Sequence, residues 1–514
     1  MVKVFLKPGR DESLRRFHPW VFSGAVAQVQ GSPAEGDLVA VYSADGQPLA
    51  AGHWQIGSIA VRILSFDADP TAPDFWVNSI SCALAAREAV GLFSASPSKD
   101  APRQNFALRA HPSQADAWAP PVHEATGGHG LTFGFPPGGS AENASDLCSH
   151  SLRRFAGEAL AAAPRNQETN CFRLVHGEGD GLPGLIVDWY DGVCVLQAHS
   201  VGMFRAKMQI CEALQQVFGD RLKAVYDKSS GTAPFKAGLD LVDGYLWRAP
   251  GFEAREAVVL ENGRKFLVNW EEGQKTGFFL DQRDNRELVG RYAAGRRVLN
   301  LFCYTGGFSI YALTAGAALV DSVDSSAKAI SLVERNIQLN SAPGAGSGLP
   351  RINFALRAHP SQADAWAPPV HETTGGHGCP GQPEPVASDA PEFNNYCEDA
   401  IEFLRKTEEG KYDLMIVDPP AFAKHRGALK NALRAYQRLN AAAIAKVAPG
   451  GLVFTFSCSQ VVDKITFANT VFSAAAQTGR SVRILDRLCQ GADHPVSIYH
   501  PEGEYLKGLL LYVE

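Results

Sequence analysis

The stretch RRVLNLFCYTGGFSIYALTAGAALVDSVDSS, residues 296–326, decides the reading of the fold. RVLNLFCY is an apolar, strand-like run. It ends in a tight Gly306-Gly307 turn and passes into a helical pattern. A second strand-like run, LVDSVD, closes on Asp324. Strand, turn, helix and strand in this order read as part of a doubly wound parallel sheet. Glycines at the turn let the backbone approach a ligand at the C-terminal edge of the sheet. The turn is not G-x-G-x-x-G and no GK[ST] follows, so a pyrophosphate cradle is not favoured. An acid ending the next strand suits ribose hydroxyls. This is the arrangement expected for S-adenosylmethionine, with Phe302, Tyr304, Thr305, Gly306, Gly307, Asp324 and Ser325 around it.

Further along, YCEDAIEFLR supplies Asp399 at a strand end, where its carboxylate or adjacent backbone is expected to meet the adenine. YDLMIVDPPAFAK ends a buried strand with Asp418-Pro419-Pro420. Proline cannot continue a central strand, so the chain turns out where ligands bind in open α/β sheets. There Asp418 can accept from an exocyclic amine and Phe422 can stack on a base. The next strand, GGLVFTFSCSQ, ends with Ser457-Cys458-Ser459. A cysteine on such a strand is ordinarily a small buried apolar residue. Beside Asp-Pro-Pro and a methyl-donor site, Cys458 reads as a nucleophile. Cytosine C5 is too weakly nucleophilic to attack a methyl sulfonium unaided. A thiolate adding at C6 makes C5 enamine-like. C5 takes the methyl, a base removes the C5 proton, and the thiolate is eliminated. Such a cysteine needs a polar or electropositive setting. Asp418 is the candidate to organise the N3 edge of the base. Either Asp418 or water removes the C5 proton.

The 514 residues leave room for about three domains. Hydrophobic content of 45% and charged content of 20% fit a soluble globular chain. No apolar run reaches the roughly 18 residues of a transmembrane helix, and charge interrupts MVKVFLKPGRDE before any signal-like segment forms. Ten cysteines without a C-x-x-C pair argue for a reducing cytoplasm, against a zinc ribbon or a disulfide framework. Net charge is −6, so contact with nucleic acid needs a local basic patch. One lies at the N-terminus: Lys3, Lys7, Arg10, Arg15, Arg16 and His18 against Asp11 and Glu12. The runs VKVFL, WVFSGAVAQVQ, DLVAVYS, PLAAGHW and IAVRILSF read as a small β-barrel over 1–78. Residues 151–254 hold FRLVH, LIVDWY, VCVLQAH, a helical FRAKMQICEALQQVF and KAVYDKS, a small α/β block with no catalytic constellation. Residues 255–514 hold the doubly wound sheet.

Residues 105–130 and 353–378 are near-identical, differing only at Ala125 versus Thr373. Two copies so far apart are not a solenoid repeat. Their Pro-, Gly-, Ser- and Ala-rich flanks read as inserted surface loops, 94–150 and 341–392. His111, His123 and His129, with His359, His371 and His377, match no metal-ligand spacing, so no metal is expected. A translated DNA repeat element explains the pair better.

The chain resembles the RlmI-type family of bacterial 23S ribosomal RNA cytosine-C5 methyltransferases along nearly its whole length, the two inserts excepted. KPGRDESLRRFHPWVFSGAV (7–26) looks like the family's PUA domain, an RNA-binding β-barrel, which implies that Lys7, Arg10, Arg15, Arg16 and, at the catalytic end, Phe422 contact RNA. HGEGDGLPGLIVD and AVYDKS are similar to its small central domain. QKTGFFLDQRDNR (274–286) resembles the segment before the catalytic core, which implies Gln274, Lys275 and Thr276, with Phe278 and Phe279, near the cofactor. Asp281, Gln282 and Arg283 then start the next helix. NLFCYTGGFS, SVDSS, DPPAF, FSCS, ADHPV (492–496) and YHPEGEYLKG (499–508) follow in the family's order. The resemblance implies a cytoplasmic Rossmann-like enzyme that uses S-adenosylmethionine to methylate 23S ribosomal RNA, free or in a large-subunit assembly intermediate, and it allows a homodimer. The competing readings are an amine or guanine-N methyltransferase working through Asp-Pro-Pro, a small-molecule methyltransferase, and a non-catalytic RNA-binding protein. FSCS favours C5 chemistry over the first.

Overall fold

The computed structural model describes residues 1–93, 169–234, 238–341, 391–423 and 425–514. Both repeat copies, with their six histidines, lie outside the described residues. The expected ends of the second insert are part of regular structure: Ser341 closes a helix and Glu392 opens a strand.

Strands β1 (Val2–Leu6), β2 (Trp20–Phe22), β3 (Val26–Gln30), β4 (Leu38–Tyr42), β5 (Pro48–Trp54) and β6 (Ile59–Ser65) form one sheet, ordered β2-β6-β5-β4-β1-β3. Val4, Leu6, Val39, Val41, Val61 and Ile63 alternate into its core, as a period of two requires. Where a barrel is expected, the strands pair as an open sheet whose two edges, β2 and β3, are joined by the turn Ser23–Ala25.

The helix Phe75–Ala89 crosses the expected boundary at residue 78. It packs with the helix Lys207–Phe218 on the middle sheet, through Phe75, Trp76 and Ile80. That sheet comprises β7 (Cys171–His176), β8 (Leu185–Tyr190), β9 (Val193–Ala198), β10 (Ala224–Asp227) and β11 (Gly244–Arg248), ordered β11-β10-β9-β8-β7. Asp191 and Gly192, at φ +46° and +99°, make the two-residue turn between β8 and β9. A hairpin, β12 (Glu256–Glu261) and β13 (Arg264–Asn269), follows.

The last sheet has seven strands: β14 (Arg297–Leu301), β15 (Leu319–Asp324), β16 (Glu392–Cys397), β17 (Tyr412–Val417), β18 (Val447–Ser457), β19 (Val482–Leu488) and β20 (Lys507–Val513). Their order is β16-β15-β14-β17-β18-β20-β19, with β20 antiparallel to both its neighbours. Both faces are covered: Val298, Leu414 and Ile416 join one core, Leu299, Met415 and Val417 the other. Burial on two faces is why these strands read as unbroken apolar runs. The chain steps outward from β14 to β16, then returns to the other side of β14 as β17. That reversal opens a crevice at the C-terminal ends of the strands.

Buried ion pairs hold the ADHPV loop and the hairpin in place, and hydrogen bonds to Asp493 tie the middle sheet to this one. Asp493, in the ADHPV loop, accepts from Arg283 at 2.7 Å and from the backbone N–H of Arg173 at 3.0 Å. Arg87 reaches Asp180 at 2.8 Å and the Asp493 carbonyl at 2.8 Å. Arg286 grips Glu261 through two bonds of 2.8 and 2.7 Å. Deleting one member of such a buried pair costs about 3–5 kcal/mol.

Candidate active site

The crevice holds a cavity of about 280 Å³. Four strand ends supply its chemistry. After β14 the chain curls tightly: Phe302, Tyr304 and Gly306 have φ of +59°, +48° and +78°. Gly306 is needed for space as well as conformation, because a Cβ there would lie 2.9 Å from Val333. A Cβ on Gly307 would meet Arg286 at 3.0 Å. After β15, Asp324 accepts from the Tyr304 N–H at 3.0 Å and the Ser326 N–H at 2.9 Å. Those two bonds fix the carboxylate beside the curled turn, with lone pairs left for ligand hydroxyls. The Tyr304 hydroxyl accepts from the Gln274 N–H at 2.9 Å, and Phe279 meets the Tyr304 ring edge-on at 5.1 Å. Lys275 lies over Phe279, 4.6 Å from the ring centre.

After β17, Asp418 accepts from Gln282 Nε2 at 2.9 Å. It keeps some exposure toward the cavity, but the protein crowded round it raises its pKa to about 7. Burial is the main cause and the charge of Asp281 adds to it. The Gln282 hydrogen bond, Lys275 and Arg286 pull the other way. Burial also works to raise Asp281, but Lys275, His494, the Tyr505 hydroxyl and Arg173 outweigh it and hold Asp281 below the usual carboxylate range. Tyr505 donates to Asp281 at 2.6 Å.

After β18, Cys458 is half-buried on the same cavity wall. Burial, then the Asp418 carboxylate, pushes its thiol up to about 11, while Lys275 and Lys507 oppose the rise. Lys507 is 4% exposed and lies at the start of β20, paired in register with Ser457. Its ammonium donates to the carbonyls of Ser459 at 2.7 Å and Tyr505 at 2.6 Å. Burial lowers its pKa to about 8, against the opposing pull of Cys458, Asp463 and Glu504.

Of the residues singled out from sequence, Gln274, Lys275, Phe302, Tyr304, Thr305, Gly307, Asp324, Ser325, Asp418 and Cys458 line this one cavity. Gly306 shapes the turn behind it. Asp399 does not reach the cavity wall. It caps the helix Ala400–Lys406, accepting from the N–H groups of Ile401 at 2.9 Å and Glu402 at 3.0 Å. Thr276 is buried and not among the lining residues, donating to Asp188 at 2.6 Å and touching the Tyr190 hydroxyl at 3.0 Å. Phe422 packs on Tyr436, ring centres 4.7 Å apart, and is not among the lining residues. At the N-terminus, Arg15 pairs with Asp11 at 2.7 Å, Arg16 pairs with Glu12, and Lys7 donates to the Gly24 carbonyl at 2.9 Å, whereas Arg10 is exposed. The sequence reading missed Arg286, Leu506 and Lys507. Lys507 stands in the quoted YHPEGEYLKG, and a lysine opening the apolar run GLLLYV was the available signal.

Among the described residues, no group of three His, Cys, Asp or Glu is placed to hold a metal, and no helix is long and apolar enough to cross a membrane.

Comparison with known proteins agrees with this geometry. Residues 4–66 match a PUA-like domain, and residues 172–355 match the S-adenosylmethionine-dependent methyltransferase family. A solved methyltransferase in complex with S-adenosylhomocysteine shares the fold over the full length of both chains, at TM-score 0.65 and 17% identity. A structure described as an S-adenosylmethionine-dependent methyltransferase from Streptococcus mutans does so at 0.64 and 16%, again over all of both chains. The protein is an S-adenosylmethionine-dependent methyltransferase with an N-terminal PUA-like domain. Ribosomal RNA large subunit methyltransferase I of Aeromonas hydrophila is 31% identical, over 99% of this chain and 98% of its own. Its namesake from Shewanella amazonensis is 32% identical, over 100% and 99%. The chain belongs to the ribosomal RNA large subunit methyltransferase I family.

Proposed function

We propose that this protein methylates C5 of a cytosine in 23S ribosomal RNA, in the cytoplasm, with Cys458 as covalent nucleophile and Asp418 as its proton partner. The observation that carries the reading is the meeting of Cys458 and Asp418 on the wall of the cavity that also holds Asp324. The names printed for the Aeromonas and Shewanella relatives support the substrate.

The residues fit S-adenosylmethionine. Asp324 is oriented for ribose hydroxyls, and the turn Phe302–Gly307 lets backbone approach the ligand. When bound, the cofactor supplies an electrophilic methyl group on a sulfonium. Gln274, Lys275 and Ser325 border the same space. Asp399 and Thr276 serve this site indirectly, through a helix cap and through the middle sheet.

The chemistry of the chain's own groups follows from their acidity. A group that titrates at about 7 is well matched to general acid–base work at neutral pH. The Asp418 carboxylate takes the Cys458 proton, and the sulfur adds to cytosine C6. The same proton passes from Asp418 to N3, which leaves an uncharged adduct with electron density at C5. C5 takes the methyl group. Asp418 then removes the C5 proton as the C6–S bond breaks, and the N3 proton returns to sulfur. One proton is released per methyl transferred. Lys507 and Lys275 favour the thiolate, in opposition to burial and Asp418.

Arg10 and the outer edges of Arg15, Arg16 and Lys7 give the N-terminal sheet its contact with RNA, and Phe422 backs the catalytic loop rather than the base. A homodimer would use the edge strand β19, where Ile484 and Leu485 are 45% and 52% exposed. The test of the reading is chemical. Unmethylated 23S ribosomal RNA is incubated with protein and labelled cofactor, then digested to nucleosides. Label in 5-methylcytosine is expected. Label in N-methylguanosine or N4-methylcytosine would overturn the reading in favour of amine methylation through Asp418.

A further inference from the structure

The helix Leu429–Lys446 follows directly from the Asp-Pro-Pro strand end. Its buried face, Ala432, Tyr436, Leu439 and Ala443, packs on the sheet. Its exposed face carries Lys430, Arg434 and Arg438, and Arg426 stands one further turn back. Those four cations recur every fourth residue, so they form one row along the helix. No acid occurs anywhere in residues 425–446, although the whole chain carries a net charge of −6. An ordinary solvated helix face mixes signs and gains from opposite charges four residues apart. Here each neighbour at that spacing is a like charge, which works against the helix. None of the four makes an ion pair with another of the described residues. The N-terminal cluster differs, because Arg15 and Arg16 are each paired to an acid four residues away.

A groove of about 610 Å³ runs between this helix and the helix Lys464–Thr478. Arg426, Lys430 and Arg434 line one wall. Thr466, Asn469 and Ser473 stand on the other, and no lining residue is acidic. Such a trough concentrates positive potential. The exposed Asn469 amide adds a neutral donor, whereas the hydroxyls of Thr466 and Ser473 donate to Asp463 at 2.7 Å and to the Asn469 carbonyl at 2.9 Å. The row is also mechanically tied to the reaction centre. Tyr436, between Arg434 and Arg438 in sequence, packs against Phe422 with the rings tilted by 50° and meets Ser459 Oγ at 3.0 Å. Phe422 and Ser459 flank Asp418 and Cys458 respectively.

We propose that this groove binds the sugar–phosphate backbone of the RNA next to the target cytosine, as a second RNA contact besides the N-terminal domain. The inference rests on the RNA-methyltransferase reading. Regularly spaced guanidinium and ammonium groups suit successive phosphates and carry no base specificity. The Tyr436 anchor then sets the register of the bound strand against Cys458.

The test uses the full chain with Lys430, Arg434 and Arg438 all changed to Gln. All three are exposed, so folding should be unaffected, and an unchanged affinity for S-adenosylhomocysteine checks it. The probe is unmethylated, protein-stripped 23S ribosomal RNA, titrated across a salt series. The variant should bind at least about tenfold more weakly at low salt, and its log–log salt slope should be shallower by about 2 to 3. KM for RNA should rise while kcat at saturating RNA stays within about twofold. Wild-type binding and slope in the variant would overturn the groove and leave the RNA reading standing. Failure of the wild-type protein to bind or methylate this RNA would overturn both. Loss of binding to anionic phosphatidylserine vesicles or of self-association, with RNA binding intact, would assign the row to another partner and overturn the proposal.

Discussion

At the ends of β14 and β15, Asp324 is held by two backbone N–H groups and faces a turn of fixed shape. At the ends of β17 and β18, Asp418 has one side-chain amide, Gln282, and shares its surroundings with a second acid and a thiol. The two halves of one cavity therefore solve different problems. The first fixes geometry with backbone that has nowhere else to go. The second leaves a carboxylate at about 7 and a thiol at about 11, so small changes in nearby charge move protons. A binding half can be rigid, but a reacting half must keep protons near balance.

The comparison breaks most visibly at sulfur. Cys458→Ala should lower methyl transfer by about 10³-fold or more. Its affinity for S-adenosylhomocysteine should stay within about twofold, because the binding half is untouched. Calorimetric titration beside a labelled-methyl assay reads both.

Asp418→Asn should cost about 10²- to 10⁴-fold in kcat. Below about 7 the wild-type Asp418 holds its proton and cannot accept another. Wild-type activity should therefore fall as pH drops through about 7, and that limb should be missing from the residual activity of the variant. The same change removes a negative charge that raises the thiol, so Cys458 should react faster with iodoacetamide at pH 8. An unchanged rate would mean that Asp418 and Cys458 are not coupled.

Asp324→Ala tests the binding half. Losing a charged acceptor for the ribose should weaken cofactor affinity by about 1.5–3 kcal/mol, roughly 10- to 100-fold. The Cys458 alkylation rate should not change. A change there would mean that the halves are not separate.

Lys507→Met is the finest probe. Without the buried ammonium the Cys458 thiol should become less acidic, and each unit of that shift cuts the thiolate fraction about tenfold. Lys507 is charged below about 8 and neutral above it, so variant and wild type should converge in alkylation rate as pH rises past that value.

The side of the cavity around Asp324 was largely legible in sequence, because strand, Gly-Gly turn and strand-end acid are neighbours along the chain. Asp418 and Cys458 were legible because proline and polar residues stop apolar strands at the edge where ligands bind. Asp399 caps a helix instead of lining the cavity, for a local reason. An acid before a short helix makes an N-cap as readily as a ligand contact, and sequence offers no way to separate the two. Thr276 and Lys507 depend on partners distant in sequence. Asp188 lies on β8, and Lys507 is buried only because β20 runs antiparallel beside β18. The charged row on Leu429–Lys446 was open to a periodicity count, but its meaning came from Tyr436 reaching Ser459.

The most direct test of the account is a covalent trap. RNA carrying 5-fluorocytosine at the target has no C5 proton to remove, so the Cys458–C6 bond should persist after methyl transfer. With S-adenosylmethionine, the native protein should run with the RNA on a denaturing gel, and Cys458→Ala should not. Methylation of ordinary RNA that survives in Cys458→Ala, with no adduct from the native protein, would contradict the account.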